Sequence, residues 1–213
     1  MVYVRASERE EQIVAAAVSV LSEVGVPATT LRAVAARAEV PLGTLQYVFP
    51  SKDKLLRAVI TRLIDDIAEA LRAQGVLDRG VEYALRQGVT GFWERLVDDH
   101  AGLQIMQYEL MTYSLRSETD GSLARLQYER YTTAVTEFCE QAARAAGERC
   151  AVGFETIGRL ALAQIDGLIL QYAANPDPIR ARRDLDQAIE MLVLFADPQP
   201  VARGRRPGPP VTG

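Results

Sequence analysis

The sequence predicts an all-α protein of about nine helices, with a three-helix head at the N-terminus and a larger helical body after it. Three observations support this fold class. Apolar residues recur three and four positions apart along most of the 213-residue chain. Capping residues and breakers, chiefly serine, threonine, glycine and proline, separate these periodic stretches. No stretch has the pattern of a convincing strand.

The first predicted helix covers 7–24. Ser7 followed by Glu10 has the spacing of a capping box, and Gly25 is expected to end the helix. We expect this helix to brace the elements that follow it, and residues 1–6 to form a loose arm. Its inner face consists of Ile13, Ala17, Val20, Leu21 and Val24.

Two short helical patterns joined by a tight turn follow, which is the layout of a helix-turn-helix. Thr30 is the predicted N-cap of the first of them. The run breaks before Pro41, and a second short helix extends to Val48 until Pro50 ends it. Ser51 then caps a long helix. In a helix-turn-helix the second helix enters the major groove of DNA.

These residues resemble the TetR family of transcriptional regulators. The family pattern reads roughly T-x-R-x-I-A-x-x-A-G-V-S-x-G-T-L-Y-x-H-F-x-S-K-E-x-L-L, and this chain has T-L-R-A-V-A-A-R-A-E-V-P-L-G-T-L-Q-Y-V-F-P-S-K-D-K-L-L. Glu39 and Pro41 replace the turn glycine and the serine cap, and these departures can shift how the recognition helix enters the groove. Gln46 and Val48 replace a tyrosine and a histidine, which should change the bases that are read rather than whether DNA is bound.

Several side chains of this motif have predicted roles at the DNA. Thr30 and Ser51 lie at helix starts, where free N–H groups favour a phosphate, and Lys52 adds a positive charge there. Gln46 takes the family's base-contacting position, and glutamine can bond adenine bidentately. Arg37 is interpreted instead as a surface or packing residue. The residues predicted to contact DNA are Thr30, Arg32, Leu42, Gly43, Thr44, Gln46, Tyr47, Ser51 and Lys52.

Five further helical patterns make up the body. They are predicted at 80–98, 101–116, 119–146, 152–174 and 179–196. The tail is rich in proline and arginine and cannot bury a core. The predicted domains are a DNA-binding head (1–50), a connecting helix (51–74), an effector-binding and dimerisation domain (75–196) and a disordered tail (197–213).

The stretch 154–172 is apolar on nearly all sides and therefore needs cover on all sides. One chain of this size covers such a helix poorly, so we expect it to join the last helix in a four-helix bundle between two copies. The resemblance implies the same arrangement. The alternative is an ordinary core helix within one chain. The predicted interface residues are Phe154, Ile157, Gly158, Leu160, Ile165, Leu168, Ile169, Leu185, Ile189 and Leu192.

The middle helices are rich in aromatic and sulfur-containing side chains with a few polar groups among them. An apolar cavity with a few polar groups is what a small-molecule site needs, and the resemblance implies a ligand there whose binding releases DNA. Plain core packing is the alternative for each of these residues. The candidates for contact with an effector are Trp93, Met106, Tyr108, Glu109, Tyr113, Tyr128 and Phe138.

Charge is divided unevenly along the chain, whose formal net charge is −4. The first 62 residues carry eight basic against six acidic side chains, and the remainder carries sixteen against twenty-two. An acidic body would be repelled from DNA while the head binds. Cys139 and Cys150 have no partner motif, which suits a reducing cytoplasm. No uncharged run reaches the eighteen residues that a membrane span needs.

The sequence therefore predicts a cytoplasmic homodimer that binds a near-palindromic DNA operator and is released from it by a small-molecule effector. A ligand carrier or scaffold of the same fold without DNA binding is the alternative. An enzyme is not expected, because the chain has one histidine, unpaired cysteines and no glycine-rich phosphate loop. We expect no cofactor, no metal and no membrane contact.

Overall fold

The computed structural model describes residues 6–73, 77–95, 101–116 and 122–201. Within these residues the chain forms nine α-helices, one turn of 3₁₀ helix (Leu77–Arg79) and one pair of two-residue strands, which confirms the all-α prediction. The helices are α1 (Ala6–Ala28), α2 (Leu31–Arg37), α3 (Leu42–Val48), α4 (Lys52–Ala73), α5 (Gly80–Trp93), α6 (Ala101–Arg116), α7 (Ser122–Ala146), α8 (Phe154–Ala174) and α9 (Pro178–Ala196), and the strands are β1 (Glu148–Arg149) and β2 (Gln199–Pro200).

Helices α1 to α4 share one apolar cluster. Ile13 of α1, Leu45 of α3 and Leu56 of α4 are fully buried in it. Helices α2 and α3 have only seven residues each, and helices this short are marginal alone, so this burial stabilises them. The cluster continues into the body through Met106 and Leu110 of α6. The head is therefore packed directly on α6.

Helix α1 bends at Gly25 rather than ending there. Gly25 has a φ of 76°, in the left-handed region that glycine favours, and the helix resumes as far as Ala28. The Thr29 hydroxyl donates to the Gly25 carbonyl at 2.7 Å, which fixes the bend. Ala6 and Ser7 are already helical, so Ser7 is not the N-cap of the predicted capping box.

One helical segment of the described residues, Ser7–Ala28, is long and apolar enough by composition to cross a membrane. Its side chains Ile13, Ala17 and Leu21 are buried in the cluster of the head. Burial of this kind is what the core helix of a globular domain requires, because its apolar stripe must face other elements.

Helix α7 runs through the middle of the body and packs on α4, α5, α6 and α8. One apolar cluster joins α5 to α8 and α9 through Trp93, Ile165 and Leu185. Another surrounds Cys139 and Ile157. Cys139 and Cys150 are both free thiols, and burial raises the pKa of Cys139 to about 12, so its thiol is neutral at physiological pH.

Residues 197–201 are ordered against the loop between α7 and α8, so the prediction of disorder from residue 197 is wrong for this part of the tail. Strand β2 pairs antiparallel with β1, and the Val201 N–H donates to the Gly147 carbonyl at 2.7 Å. The Glu148 carboxylate in turn accepts from the Val81 N–H at 2.8 Å. A pair of two-residue strands leaves no periodic signal in a sequence, which explains why it was missed. Residues 202–213 lie outside the described residues.

Most of the predicted dimer-interface residues are covered within one chain. Helices α5, α7 and α9 of the same chain bury the inner face of α8, which was expected to need a second copy. The interface prediction is therefore wrong for the inner face of α8 and α9. Leu160 is 40% exposed, and Phe154 and Leu168 are half-buried. The residues buried inside the chain are Ile157, Gly158, Ile165, Ile169, Leu185, Ile189 and Leu192.

Candidate DNA-binding surface and effector site

The two predicted hydroxyl caps of the helix-turn-helix are formed. The Ala33 N–H donates to Thr30 Oγ1 at 3.1 Å at the start of α2. The Lys54 N–H donates to Ser51 Oγ at 3.2 Å at the start of α4. Thr30 and Ser51 are both exposed, so a phosphate could reach either helix start, where the peptide dipoles favour an anion.

The turn between α2 and α3 contains a residue with a left-handed backbone. Glu39 has a φ of 53°, a region that a side chain with a Cβ adopts at a cost. The turn is closed by the Val40 N–H, which donates to the Ala35 carbonyl at 3.0 Å. The backbone at position 39 therefore favours glycine, which is the residue that the family pattern has where this chain has Glu39.

Helix α3 presents one polar face to solvent. Leu45 anchors it in the head at 0% exposure, whereas Gly43, Gln46 and Tyr47 are exposed. Tyr47 has 89% of its surface free, and a Cβ added at Gly43 would meet nothing within 4 Å. These three residues therefore lie on a face of α3 that is exposed to solvent. The other predicted contacts on the head are the exposed Arg32 and the half-buried Leu42 and Thr44.

The ammonium of Lys52 is engaged inside the protein instead of at the predicted phosphate. It donates to the Val26 carbonyl at 2.6 Å and lies 5.5 Å from the centroid of the Tyr113 ring. Burial lowers the pKa of Lys52. The side chain thus ties the start of α4 to the bend of α1 and to α6, which is a different role from the one predicted.

The interpretation of Arg37 as a packing residue agrees with its contacts. Its guanidinium donates to Glu23 Oε1 at 2.7 Å and Oε2 at 2.6 Å, and it also donates to the Ser19 hydroxyl. Arg37 lies on α2, and its two acceptor residues, Ser19 and Glu23, lie on α1. Arg37 therefore holds α2 against α1.

The bend of α1 is held from two sides. While Lys52 binds the Val26 carbonyl, Glu109 Oε2 accepts from the Val26 N–H at 2.8 Å. Glu109 also approaches Gly25 so closely that a Cβ there would lie 2.7 Å from Oε2. We call Gly25, Val26, Lys52 and Glu109 the bend clamp. It connects the start of α4, next to the recognition helix, with α6 of the body.

An apolar cavity of about 40 Å³ lies between α5, α7 and α8. It has room for about three water molecules, whereas sites for drug-sized ligands usually measure roughly 300–1,000 Å³. A larger effector therefore requires these helices to separate. Of the predicted effector residues, Phe138 lines this cavity. The other lining residues are Ala84, Leu85, Gly88, Val89, Phe92, Tyr131, Val135, Cys139, Ala161, Leu162 and Ile165.

An open groove of about 580 Å³ lies beside the bend clamp, between the end of α1, α6 and α8. Tyr108, Glu109 and Tyr113 line it, which brings three of the predicted effector residues together. The remaining walls are Pro27, Ile105, Thr112, Arg116, Leu170, Ala173 and Ala174.

Two predicted effector residues lie elsewhere. Met106 is 1% exposed between α1 and α6, and the Ser22 hydroxyl lies 3.7 Å from its sulfur, so Met106 packs the head on the body. Trp93 contacts Tyr172 edge to face with 5.8 Å between the ring centroids. It belongs to the apolar cluster of α8 and α9, which also includes Tyr108.

A polar cluster lies among α6, α7 and α8. The Tyr128 hydroxyl donates to Asp166 Oδ2 at 2.6 Å, and the Tyr108 hydroxyl lies 3.2 Å from Oδ1 and from the Asp166 carbonyl. The Tyr131 hydroxyl donates to Gln107 Oε1 at 2.7 Å. Sequence reasoning found Tyr108 and Tyr128 but missed Asp166, although it is the one charged residue in the stretch 160–174.

Comparison with known proteins agrees with this arrangement. Residues 13–59 match the family described as "Bacterial regulatory proteins, tetR family". The HTH-type transcriptional regulator BetI of Burkholderia cenocepacia (strain HI2424) is 30% identical over 188 residues, which cover 88% of this chain and 93% of that protein. The HTH-type nicotine-responsive transcriptional repressor HdnoR of Paenarthrobacter nicotinovorans is 24% identical over 183 residues, covering 86% and 93%.

A solved structure has a similar fold over most of the chain. The crystal structure of the multidrug binding protein EbrR complexed with ethidium matches with a TM-score of 0.66 and 27% identity, covering 89% of this chain and 99% of that one. The similarity thus extends from the head, where the motif lies, through the helical body. The chain belongs to the TetR family of bacterial regulatory proteins and is a helix-turn-helix transcriptional regulator.

Proposed function

We propose that this regulator is a repressor that binds a near-palindromic operator as a dimer and leaves it when a small molecule binds the body. The observation that carries the proposal is the solvent-facing helix α3, on which Gln46 and Tyr47 project from the buried anchor Leu45. Relatives lend support: HdnoR is described as a nicotine-responsive repressor, and EbrR as a multidrug binding protein. Because its target is DNA, we assign the protein to the cytoplasm.

The proposed dimer uses the outer face of α8 and α9 rather than the inner face. On α8 an uncharged stripe repeats at intervals of three and four residues, and its leucines are 40% and 50% exposed. Such spacing suits a helix seam, and small residues let a partner helix approach closely. On α9, Met191 and Leu194 are 60% and 77% exposed at the end nearer the strand pair. The stripe of α8 consists of Leu160, Ala163, Gly167, Leu170 and Ala174.

The proposed mechanism is a population shift between two arrangements of the heads. A dimer presents two recognition helices to one face of DNA, with half-sites roughly 34–36 Å apart or somewhat more. An effector that binds more tightly to the arrangement with mis-spaced heads weakens DNA binding. The loss of DNA-binding free energy cannot exceed the difference in effector-binding free energy between the two arrangements, typically about 1–3 kcal/mol. The bend clamp supports this proposal, because a shift of α6 moves Glu109 and with it the Val26 peptide that Lys52 also holds.

The test is transcription in vitro from a promoter that overlaps a site selected by the protein from random DNA. We expect selected sites with two-fold symmetry, two protomers bound to each site, and fewer transcripts as protein is added. Asymmetric sites that bind one protomer, or transcripts that increase with protein, would contradict the proposal.

A further inference from the structure

One turn of α6 lies between the head and the body. On its head side, the sulfur of Met106 is 3.7 Å from the Ser22 hydroxyl, and Glu109 accepts from the Val26 N–H at 2.8 Å. An α-helix has 3.6 residues per turn, so residues 106 and 109 share a face, whereas Tyr108 projects about 100° away from its neighbour Glu109. Tyr108 can therefore contact the body while Glu109 contacts the head.

Asp166 of α8 is the partner of Tyr108 on the body side. The Tyr108 hydroxyl lies 3.2 Å from Oδ1 and 3.2 Å from the main-chain carbonyl of Asp166. The Tyr128 hydroxyl of α7 donates to the other carboxylate oxygen at 2.6 Å. The half-buried carboxylate thus joins both α6 and α7 to α8, with one oxygen for each helix.

The ionised form of Asp166 is what allows both contacts. A carboxylate accepts hydrogen bonds on both oxygens, whereas an amide has one acceptor oxygen. Burial raises the pKa of Asp166, and the hydrogen bonds from Tyr128 and Tyr108 act in the opposite direction. Burial also raises the pKa of Tyr128, so its hydroxyl stays protonated and remains a donor at physiological pH. Asparagine at position 166 therefore cannot replace both contacts.

A second buried hydroxyl holds the same turn of α6 to α7. The Tyr131 hydroxyl donates to Gln107 Oε1 at 2.7 Å, and both side chains are buried. This bond does not involve α8. Loss of the contact between Tyr108 and Asp166 therefore leaves α6 attached to α7, and the expected result is a small displacement of this turn rather than unfolding of the body.

We propose that Asp166 is a positioning residue for DNA binding: it holds Tyr108 and so places the neighbouring Glu109 where it accepts from the Val26 N–H. The inference rests on the proposed function, because it adds a residue of α8 to the coupling between body and head. Asp166 acts without touching DNA. Its effect passes through α6 to the bend clamp, whose Lys52 lies in the first turn of α4, directly after the recognition helix.

The first test is hydrogen exchange of the Val26 amide in the full-length protein without DNA. We expect Tyr108→Phe and Asp166→Asn each to speed this exchange about threefold or more, because a displaced Glu109 protects the amide less well. The Phe49 amide, which donates at the end of α3 in the same head, should exchange at the wild-type rate. Unchanged exchange of Val26 in both variants overturns the inference, and so does an equal increase at Val26 and Phe49.

A double-mutant cycle tests whether Tyr108 acts through Glu109. In a Glu109→Ala background, Tyr108→Phe should have no further effect on the exchange of Val26, since the acceptor is already absent. The same increase in both backgrounds overturns the inference. Tyr83→Phe on α5 is the matched control, because it removes a hydroxyl and keeps a ring whose centroid lies 3.9 Å from Arg79 Cζ. It should leave the exchange of Val26 at the wild-type rate.

Operator affinity gives the second readout. Tyr108→Phe should weaken binding to the selected operator about fivefold in the wild-type background and leave it unchanged in Glu109→Ala. Faster exchange of Val26 with unchanged operator affinity overturns the claim that Asp166 positions the head for DNA. The proposed function fails separately, if the wild type selects no operator, and the exchange of Val26 still decides whether Asp166 positions Glu109.

Discussion

Glu39 lies in the turn of the helix-turn-helix with a left-handed backbone, and the hydrogen bond from Val40 to Ala35 keeps it there. Glu39→Gly should therefore stabilise the head by about 1 kcal/mol, because glycine adopts this conformation without a Cβ clash. Glu39→Ala is the control, since alanine removes the carboxylate but keeps the strain. Chemical denaturation measures both, and equal stabilisation by alanine and glycine would show that backbone strain is not the cause.

Gln46 projects from the exposed face of α3, where it is proposed to read a base edge. Gln46→Ala should weaken binding to the selected operator by about 1–3 kcal/mol and relax preference at one position of each half-site. Binding to unrelated DNA should not change, because that is governed by phosphate contacts. Gln87→Ala, at an exposed glutamine on α5, is the control. If Gln46→Ala leaves the preferred sequence unchanged, another residue reads that base.

Contacts within one turn of helix were predictable at this scale, and contacts between distant segments were not. The caps by Thr30 and Ser51 follow from residue type and position alone. The bond from Lys52 to Val26 joins residues 26 positions apart, and no local pattern announces it. Asp166 was overlooked for a related reason, since only the fold brings Tyr108 and Tyr128 to it.

At the scale of elements, the bend clamp is the contact that joins head and body. Glu109→Ala removes the acceptor of the Val26 N–H and should expose that amide to exchange, at a cost of about 1–3 kcal/mol in local stability. Hydrogen exchange of the Val26 amide measures this directly. Glu137→Ala, at an exposed acid on α7, should have no effect. An unchanged exchange rate in Glu109→Ala would mean that the clamp contributes nothing to the bend.

Helix positions were predicted closely, because apolar spacing and breakers define them locally. The predictions for α8 and α9 differ from the structure by at most two residues at each end. The bend at Gly25 was predicted as a helix end, since a left-handed glycine fits either outcome. The order of residues 197–201 depends on pairing with the loop at 147–151, which propensity alone does not reveal.

At the scale of the molecule, the outer stripe of α8 is the proposed seam between two copies. Ala163→Asp places a charge in the middle of this stripe and should shift the protein from dimer to monomer, because a buried charge without a partner is costly. Ala145→Asp, the same change on an exposed face of α7, should leave the dimer intact. Sedimentation velocity distinguishes the two, and a dimeric Ala163→Asp would refute this choice of face.

The sequence could indicate that α8 needs cover on every side, but not which element covers each side. Three helices of the same chain cover the inner face, where Ile165 and Leu185 are buried. The outer face is made of smaller and fewer apolar residues, and its exposure is visible only after folding. The size of the cavity between α5, α7 and α8 also depends on packing, because helices rich in aromatic residues can either leave a space between them or fill it.

The central claim, that α3 reads a specific operator, is tested most directly by fluorescence anisotropy. The protein is titrated onto a DNA site selected from a random pool and onto a scrambled site of equal length, each at two salt concentrations. We expect the selected site to bind about 10³-fold or more tightly than the scrambled one, with both affinities falling steeply as salt increases. Equal affinity for the two sites, or binding that does not respond to salt, would contradict the claim.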